Sequence, residues 1–496
     1  MKEYEKNSIF YLSDWLNNLS FLMTQLKILC LFMAFGLMHS VHGQEVKAQM
    51  SSYQALDEME ELEILGSHRD TSVISLGAYK KAKLMVFDSS MQLVAEQKMN
   101  FGSRKIPVKA FLINDSIHFY YFSKKGSLAK LHCIRYDLQL HPTDTIDLFE
   151  EAFNFSFDPY HCFSLPQRDL FTLFKISNKT HLKVLNFKKS SRSLVDSFFI
   201  PLQKFKNKEF ELDAQISRDG EVFISFMKND EGFNENHVEW EIYALDKGNS
   251  HKINIHFTDK LITSWIMEMD ELNDQLIIAG YYGERSDVAA RGIFTIRVDQ
   301  KDYSWTSHFE SFTEEEVFEM TGKRKRREKR RYVSYLEAKS LICRSDGGII
   351  LFGEYVYKRT QGQNLSMTGI SLKPFMEFYF ENVMIHSLNK KGDKEWFEVI
   401  YKKQYSQDDD ARYSSFFLLK GKQQLSILTN DEIKSKNTMS KYDLEVDGTL
   451  SRSHFLLENL RWPNVAFQHA KQLDTDRFLI LEFSRKREFR LLDVQL

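Results

Sequence analysis

Ser345-Asp-Gly-Gly-Ile-Ile-Leu-Phe-Gly-Glu-Tyr355 places a polar turn directly before a continuous apolar run, Ile349 to Phe352. A short run of this kind after a turn signal reads as a β-strand buried on both faces. The same unit recurs along the chain. Copies start at Asp70 (Val73-Ile-Ser-Leu-Gly77), Asn114 (Asn114-Asp-Ser-Ile-His-Phe-Tyr120), Arg168 (Arg168-Asp-Leu-Phe-Thr-Leu-Phe174) and Asp219 (Asp219-Gly-Glu-Val-Phe-Ile224). Others start at Asn273 (Asn273-Asp-Gln-Leu-Ile-Ile-Ala-Gly280), Lys422 (Lys422-Gln-Gln-Leu-Ser-Ile-Leu428) and Thr475 (Thr475-Asp-Arg-Phe-Leu-Ile-Leu481).

A second signal follows each copy: an alternating strand that ends in Asp or Asn, at Asp88, Asp137, Asn186, Asp246, Asp299, Asn389, Asp447 and Asp493. A short polar side chain at a strand end suits a tight turn, because it can accept from the backbone two residues on. The intervals are 49, 49, 60, 53, 90, 58 and 46 residues, the long one holding an insertion. A period near 50 with several short strands per copy points to an all-β fold, a β-propeller of seven or eight blades. Each blade hides its faces only against its neighbours, so its inner strands are apolar without alternation. A β-sandwich does not require eight registered copies of one unit. After Asp493 no outer strand remains for the last copy, and Glu60 to Gly66 is a candidate to supply it and close the ring.

The totals fit this picture. The chain has 496 residues, 43% hydrophobic, with 41 Phe and 21 Tyr beside 7 Pro, which suits strands. A net charge of −2 gives no overall field for nucleic acid. Cys30 lies in a segment expected to be removed; Cys133, Cys162 and Cys343 are odd in number and widely spaced, and read as unpaired thiols.

Residues 1–43 read as a secretory signal, with Lys27 before the apolar core Ile28–Met38 and small residues Val41 and Gly43 before a cut at Gln44. Residues 1–22 fit a misassigned start, with Met23 as the true one. Residues 44–65 are then a lead-in and a possible ring-closing strand, and 66–496 one propeller domain, exported to the periplasm or secreted, with no transmembrane segment after cleavage and a monomer.

Two insertions stand out, 313–334 and 357–374. The first pairs Thr313 with Glu316 at capping-box spacing and predicts a short charged helix projecting from the propeller. It ends in the basic run Lys323, Arg324, Lys325, Arg326, Arg327, Lys329, Arg330 and Arg331, a docking patch for an anionic partner or a solvated arm pairing with its own acids. The second is loop-like, before the aromatic strand Phe375–Phe380. Asp408, Asp409 and Asp410 offer three successive carboxylates, a Ca²⁺ candidate only if other blades complete the shell. His132-Cys133 and His161-Cys162 point to opposite strand faces and read as packing. Glu354 either lines the central channel or pairs with a Lys or Arg. No phosphate loop, zinc motif or nucleophile–base spacing is present, and no cofactor is expected.

Asp346 to Tyr355, Asn389-Lys-Lys-Gly-Asp-Lys-Glu-Trp396 and Ser414-Ser-Phe-Phe-Leu-Leu-Lys-Gly421 resemble exported propeller-like proteins of the Bacteroidota. The resemblance implies an envelope location and transfers no catalytic residue. The expectation is a non-catalytic module that binds an envelope protein or glycan. The alternative is a carbohydrate-active enzyme with facing carboxylates at the channel mouth.

Overall fold

In this computed structural model the described residues run from 44 to 496, except 57–60, 79–80, 103, 153–159, 166, 178–180, 203–210, 232–235, 285–288, 322–331, 362–374, 434–437, 458–463 and 485–486. The chain forms eight antiparallel blades in sequence order. Blade 1 consists of Glu61–His68, Thr71–Ala78, Lys81–Phe87 and Leu93–Asn100. Its fourth strand alternates between exposed and half-buried positions, the mark of an outer edge. The first strands of the other seven blades are Lys105–Ile113, His161–Ser164, Glu211–Ile216, Leu261–Asp270, Leu336–Cys343, Phe416–Lys420 and Lys471–Gln472. Several neighbouring first strands touch one another, so this strand of each blade faces the axis.

The opening stretch shows why the apolar runs are continuous. Ile349 and Leu351 pack toward blade 5, with Ile277, Ala279 and Tyr281. Ile350 and Phe352, on the other face, pack toward blade 7 with Phe416, Ile427 and Tyr442. Successive strand residues point to opposite faces, and here both faces are interblade cores. The same division recurs at every seam: eight apolar clusters, one between each pair of neighbouring blades, including blade 8 against blade 1. The number of blades is therefore eight.

The ring closes through a segment other than Glu60 to Gly66. Gln44–Met50 is the outer strand of blade 8, running antiparallel to Glu488–Gln495 with Ala48 opposite Val494. Its first residues also pair in parallel with Leu450–Leu457 of blade 7, which ties the two blades together. Glu61–His68 is the first strand of blade 1, so the described residues of the 44–65 lead-in include strands of the ring. The bridge from Lys403 to Glu432 links blades 6 and 7 in the same continuous ladder.

The turn signals hold at five of eight positions. Asp88, Asp137, Asp299, Asn389 and Asp447 each accept a backbone N–H two residues on. Asp246 precedes a two-residue turn in which Lys247 and Gly248 both have positive φ, the twist that suits a hairpin. Asn186 and Asp493 lie inside strands instead, where Asn186 accepts from the Thr172 hydroxyl and Asp493 pairs with Arg477.

The first insertion contains helix α1, Glu314–Thr321. Its capping box is formed: the Thr313 N–H donates to Glu316 Oε2 at 2.6 Å and the Glu316 N–H to Thr313 Oγ1 at 3.1 Å. The helix does not project, because Val317 and Met320 are buried in the core between blades 5 and 6. Its described residues reach Thr321, and Lys323 to Arg331 lie outside the described residues. In the second insertion Tyr357 to Gln361 extend the strand Ile349–Gln361, and 362–374 lie outside the described residues. The segment 1–43 is likewise outside them. Among the described residues no helix is long and apolar enough to cross a membrane.

Candidate functional site

The first strands of blades 1 and 2 begin at one end of the ring. There a cavity of about 970 Å³ opens between blades 8, 1 and 2. Leu62, Ile106, Val108, Phe119 and Phe483 supply apolar wall, while Glu63, Lys109, Arg412 and His469 contribute polar atoms. Arg412 comes from the loop joining blades 6 and 7 and lies over the Phe483 ring, 4.5 Å from its centroid. Burial, with Arg412 as a second cause, holds His469 below the usual imidazole range, so it is neutral at pH 7.

Asp408, Asp409 and Asp410 build this same loop. Asp408 Oδ1 accepts the Met376 N–H at 2.8 Å, and Asp409 Oδ1 accepts the Ala411 N–H at 3.0 Å. Asp410 lies on the cavity wall. Asp409 thus caps its own turn, Asp408 ties the loop to the neighbouring strand, and the trio is not gathered as a ligand cluster among the described residues.

Deeper in the ring, the first strands of blades 4 and 5 carry two carboxyls without a cationic partner within ion-pair distance among the described residues, Asp213 and Glu268. Asp213 accepts only the N–H of Ala214, and burial pushes it up to about 6. Burial also raises Glu268, against the pull of Lys420 and with added repulsion from Asp213 and Glu271. Carboxyls raised toward neutral pH are better matched to proton transfer than ordinary ones. Sequence reading missed both, because each is one acid in an ordinary alternating strand.

Glu354 is not on the channel. It is fully buried between blades 6 and 7, with Lys402 Nζ 2.6 Å from Oε1 and the Ser415 hydroxyl donating to Oε2 at 2.6 Å. Lys402 also donates to Gln404 Oε1 at 2.7 Å. His132 is held between the Ser123 hydroxyl and Asp147. The three thiols are free. Burial raises each of them to about 12, so they remain protonated.

One cluster of possible metal ligands is present among the described residues, His308, Glu310 and Asp393. His308 Nε2 lies 3.6 Å from Glu310 Oε2 and 3.7 Å from Asp393 Oδ1. Lys394 Nζ sits 3.7 Å from Glu310 Oε1 and neutralises part of the same charge. His308 and Glu310 share a strand face at i and i+2, a local signal, but Asp393 arrives from the next blade. No spacing rule joins them.

No family model matches the chain, and no curated protein matches it. Several solved structures are similar in fold. Sqt1 of Saccharomyces cerevisiae is 9% identical, with 92% of this chain and all of that one covered at a TM-score of 0.40. The propeller domain of the trilobed protease of Pyrococcus furiosus is 9% identical over 71% of this chain and 98% of that domain, at 0.33. Prolyl oligopeptidase B of Galerina marginata is 9% identical over 88% of this chain, at 0.37. The chain spans about 55% of that oligopeptidase's length.

Proposed function

We propose that the protein is an exported propeller of the bacterial cell envelope that binds a protein segment or glycan at the wide mouth of its channel, without catalysing a reaction. The cavity of about 970 Å³ carries this reading, an apolar wall with a few convergent polar groups. That is the composition of a ligand site, and the size is at the upper end of the usual range. Export is supported by the apolar core before Gln44 and by the ring itself. A cut before Gln44 leaves the closing strand Gln44–Met50 whole. The basic run Lys323 to Arg331 is a second contact for an anionic partner.

A binding screen of envelope glycans and peptides against the chain from Gln44 tests the proposal. Saturable binding is expected, lost in Arg412→Ala and in Val108→Arg, which fills the cavity, with ligand recovered intact. No saturable ligand, or binding that ignores both substitutions, contradicts it. A second reading, hydrolysis of a glycan, is favoured by the raised carboxyls of Asp213 and Glu268. Product release that stops in both Asp213→Asn and Glu268→Gln establishes it in place of the first.

A further inference from the structure

At the other end of the first strands lies a second cavity, of about 510 Å³, walled by blades 1, 2, 3 and 8. Four cations line it, Lys109, Arg168, Lys189 and Lys471. Two have local partners: Lys109 meets Glu63 at 2.7 Å, and Arg168 pairs with Glu271. Lys189 and Lys471 have no carboxylate within ion-pair distance among the described residues.

Lys189 is buried, donates to the carbonyl oxygens of Leu165 and Arg168 at 2.8 and 2.7 Å, and lies 4.9 Å from the Phe111 ring centroid. Lys471 crosses from blade 8 to blade 1 beside Gly66 and donates to the Leu65 carbonyl at 2.7 Å. An ammonium has three donors, so two on Lys471 have no partner among the described residues. The wall's other acid, Asp169, is occupied by the N–H and hydroxyl of Ser190. Burial depresses both lysines, Lys189 to about 8; Cys162 and Asp169 oppose this at Lys189 and Glu63 opposes it at Lys471, while the neighbouring ammonium groups add a smaller depression. Gathering like charges at a partly desolvated wall costs free energy, which the carbonyl bonds and the nearby Glu63 and Asp169 offset only in part.

We propose that this cavity binds a small ligand through an anionic head group (phosphate, sulfate or carboxylate) held by Lys471 and Lys189, with Lys109 and Arg168 flanking it. Ammonium groups meet oxyanions as compact charges with several donors, and charge-assisted bonds of this type are the strong ones. The volume suits a small molecule. The site adjoins the wide mouth, with which it shares Glu63 and Lys109, but its two principal lysines lie outside that cavity and the proposal does not rest on the reading given for it.

The competing role for both lysines is to staple blades through carbonyl bonds, and the two roles predict opposite results. The test is calorimetry and thermal unfolding of the chain from Gln44, at fixed ionic strength, with pyrophosphate, glucose 6-phosphate, glucuronate and glucose as probes. Saturable binding of at least one anionic probe is expected, with no response to glucose. Lys471→Met should weaken that binding at least tenfold while leaving the unliganded Tm unchanged or higher. Arg412→Ala, at the wide mouth, should leave it intact. The proposal is overturned if no anionic probe binds saturably, if Lys471→Met binds as well as the parent, or if that substitution lowers the unliganded Tm without changing binding. Lys189→Met is the second variant: a folded protein that keeps full affinity also contradicts the assignment.

Discussion

Gly353, in the stretch that decides the fold, shows how closely adjacent blades approach. A Cβ there would sit 1.9 Å from the Tyr281 hydroxyl of blade 5. Gly353→Ala should cost ~1–3 kcal/mol in urea unfolding, whereas Gly77→Ala, with nothing within 4 Å of its Cβ, should be close to neutral. Equal effects at the two positions would refute the packing described. The Glu354–Lys402 pair is a second residue-level case. Lys402→Met leaves a carboxylate buried without its counter-charge and should cost about 3–5 kcal/mol, with most of it recovered when Glu354→Leu is added. A neutral single substitution would be inconsistent with the pair. Asp213 supplies a pH test. Its ordinary value is 3.8 and burial raises it to about 6, so between those pH values the unfolded chain loses the proton first. Stability from this group is therefore full below about 4, falls as pH rises to about 6, and is flat above. The advantage of Asp213→Asn over the parent should shrink from pH 7 to pH 4, by at most ~3 kcal/mol; a pH-independent difference would exclude the shift. These residues were poorly legible in the sequence. Glu354 could be read as channel or ion pair, and only the neighbouring Lys402, Gln404 and Ser415 decide between them.

At the scale of the elements, the second strands were the most readable, because burial on both faces leaves an unbroken apolar run. The hairpin turns after the third strands were readable where Asp or Asn caps the backbone, and misread at Asn186 and Asp493, where the same side chains serve strand interiors. Helix α1 was legible from Thr313 and Glu316, but its docking was not, since Val317 and Met320 are a weak apolar stripe among four acids in the sequence Thr313 to Thr321. Thr313→Ala should lose the cap and cost ~1 kcal/mol by chemical denaturation. No loss would mean that packing of Val317 and Met320 alone sets the helix. The channel lysines were invisible to spacing rules for a simple reason. Lys109, Lys189 and Lys471 meet only because the last blade returns beside the first.

For the whole molecule, eight interblade cores make each sheet dependent on both neighbours, so the closing contact bears on every blade. The lead-in 44–65 does hold the closing strand, Gln44–Met50, but the choice within it of Glu60 to Gly66 fell on the first strand of blade 1, because only pairing distinguishes the two segments. The most direct test is cysteine cross-linking in a chain whose own cysteines are replaced. Ala48→Cys with Val494→Cys, opposite each other across the closing pair, should form an intramolecular disulfide on mild oxidation. Ile64→Cys with Val494→Cys should not, since Ile64 pairs with Ile74 inside blade 1. Cross-linking of the second pair in place of the first would contradict the ring.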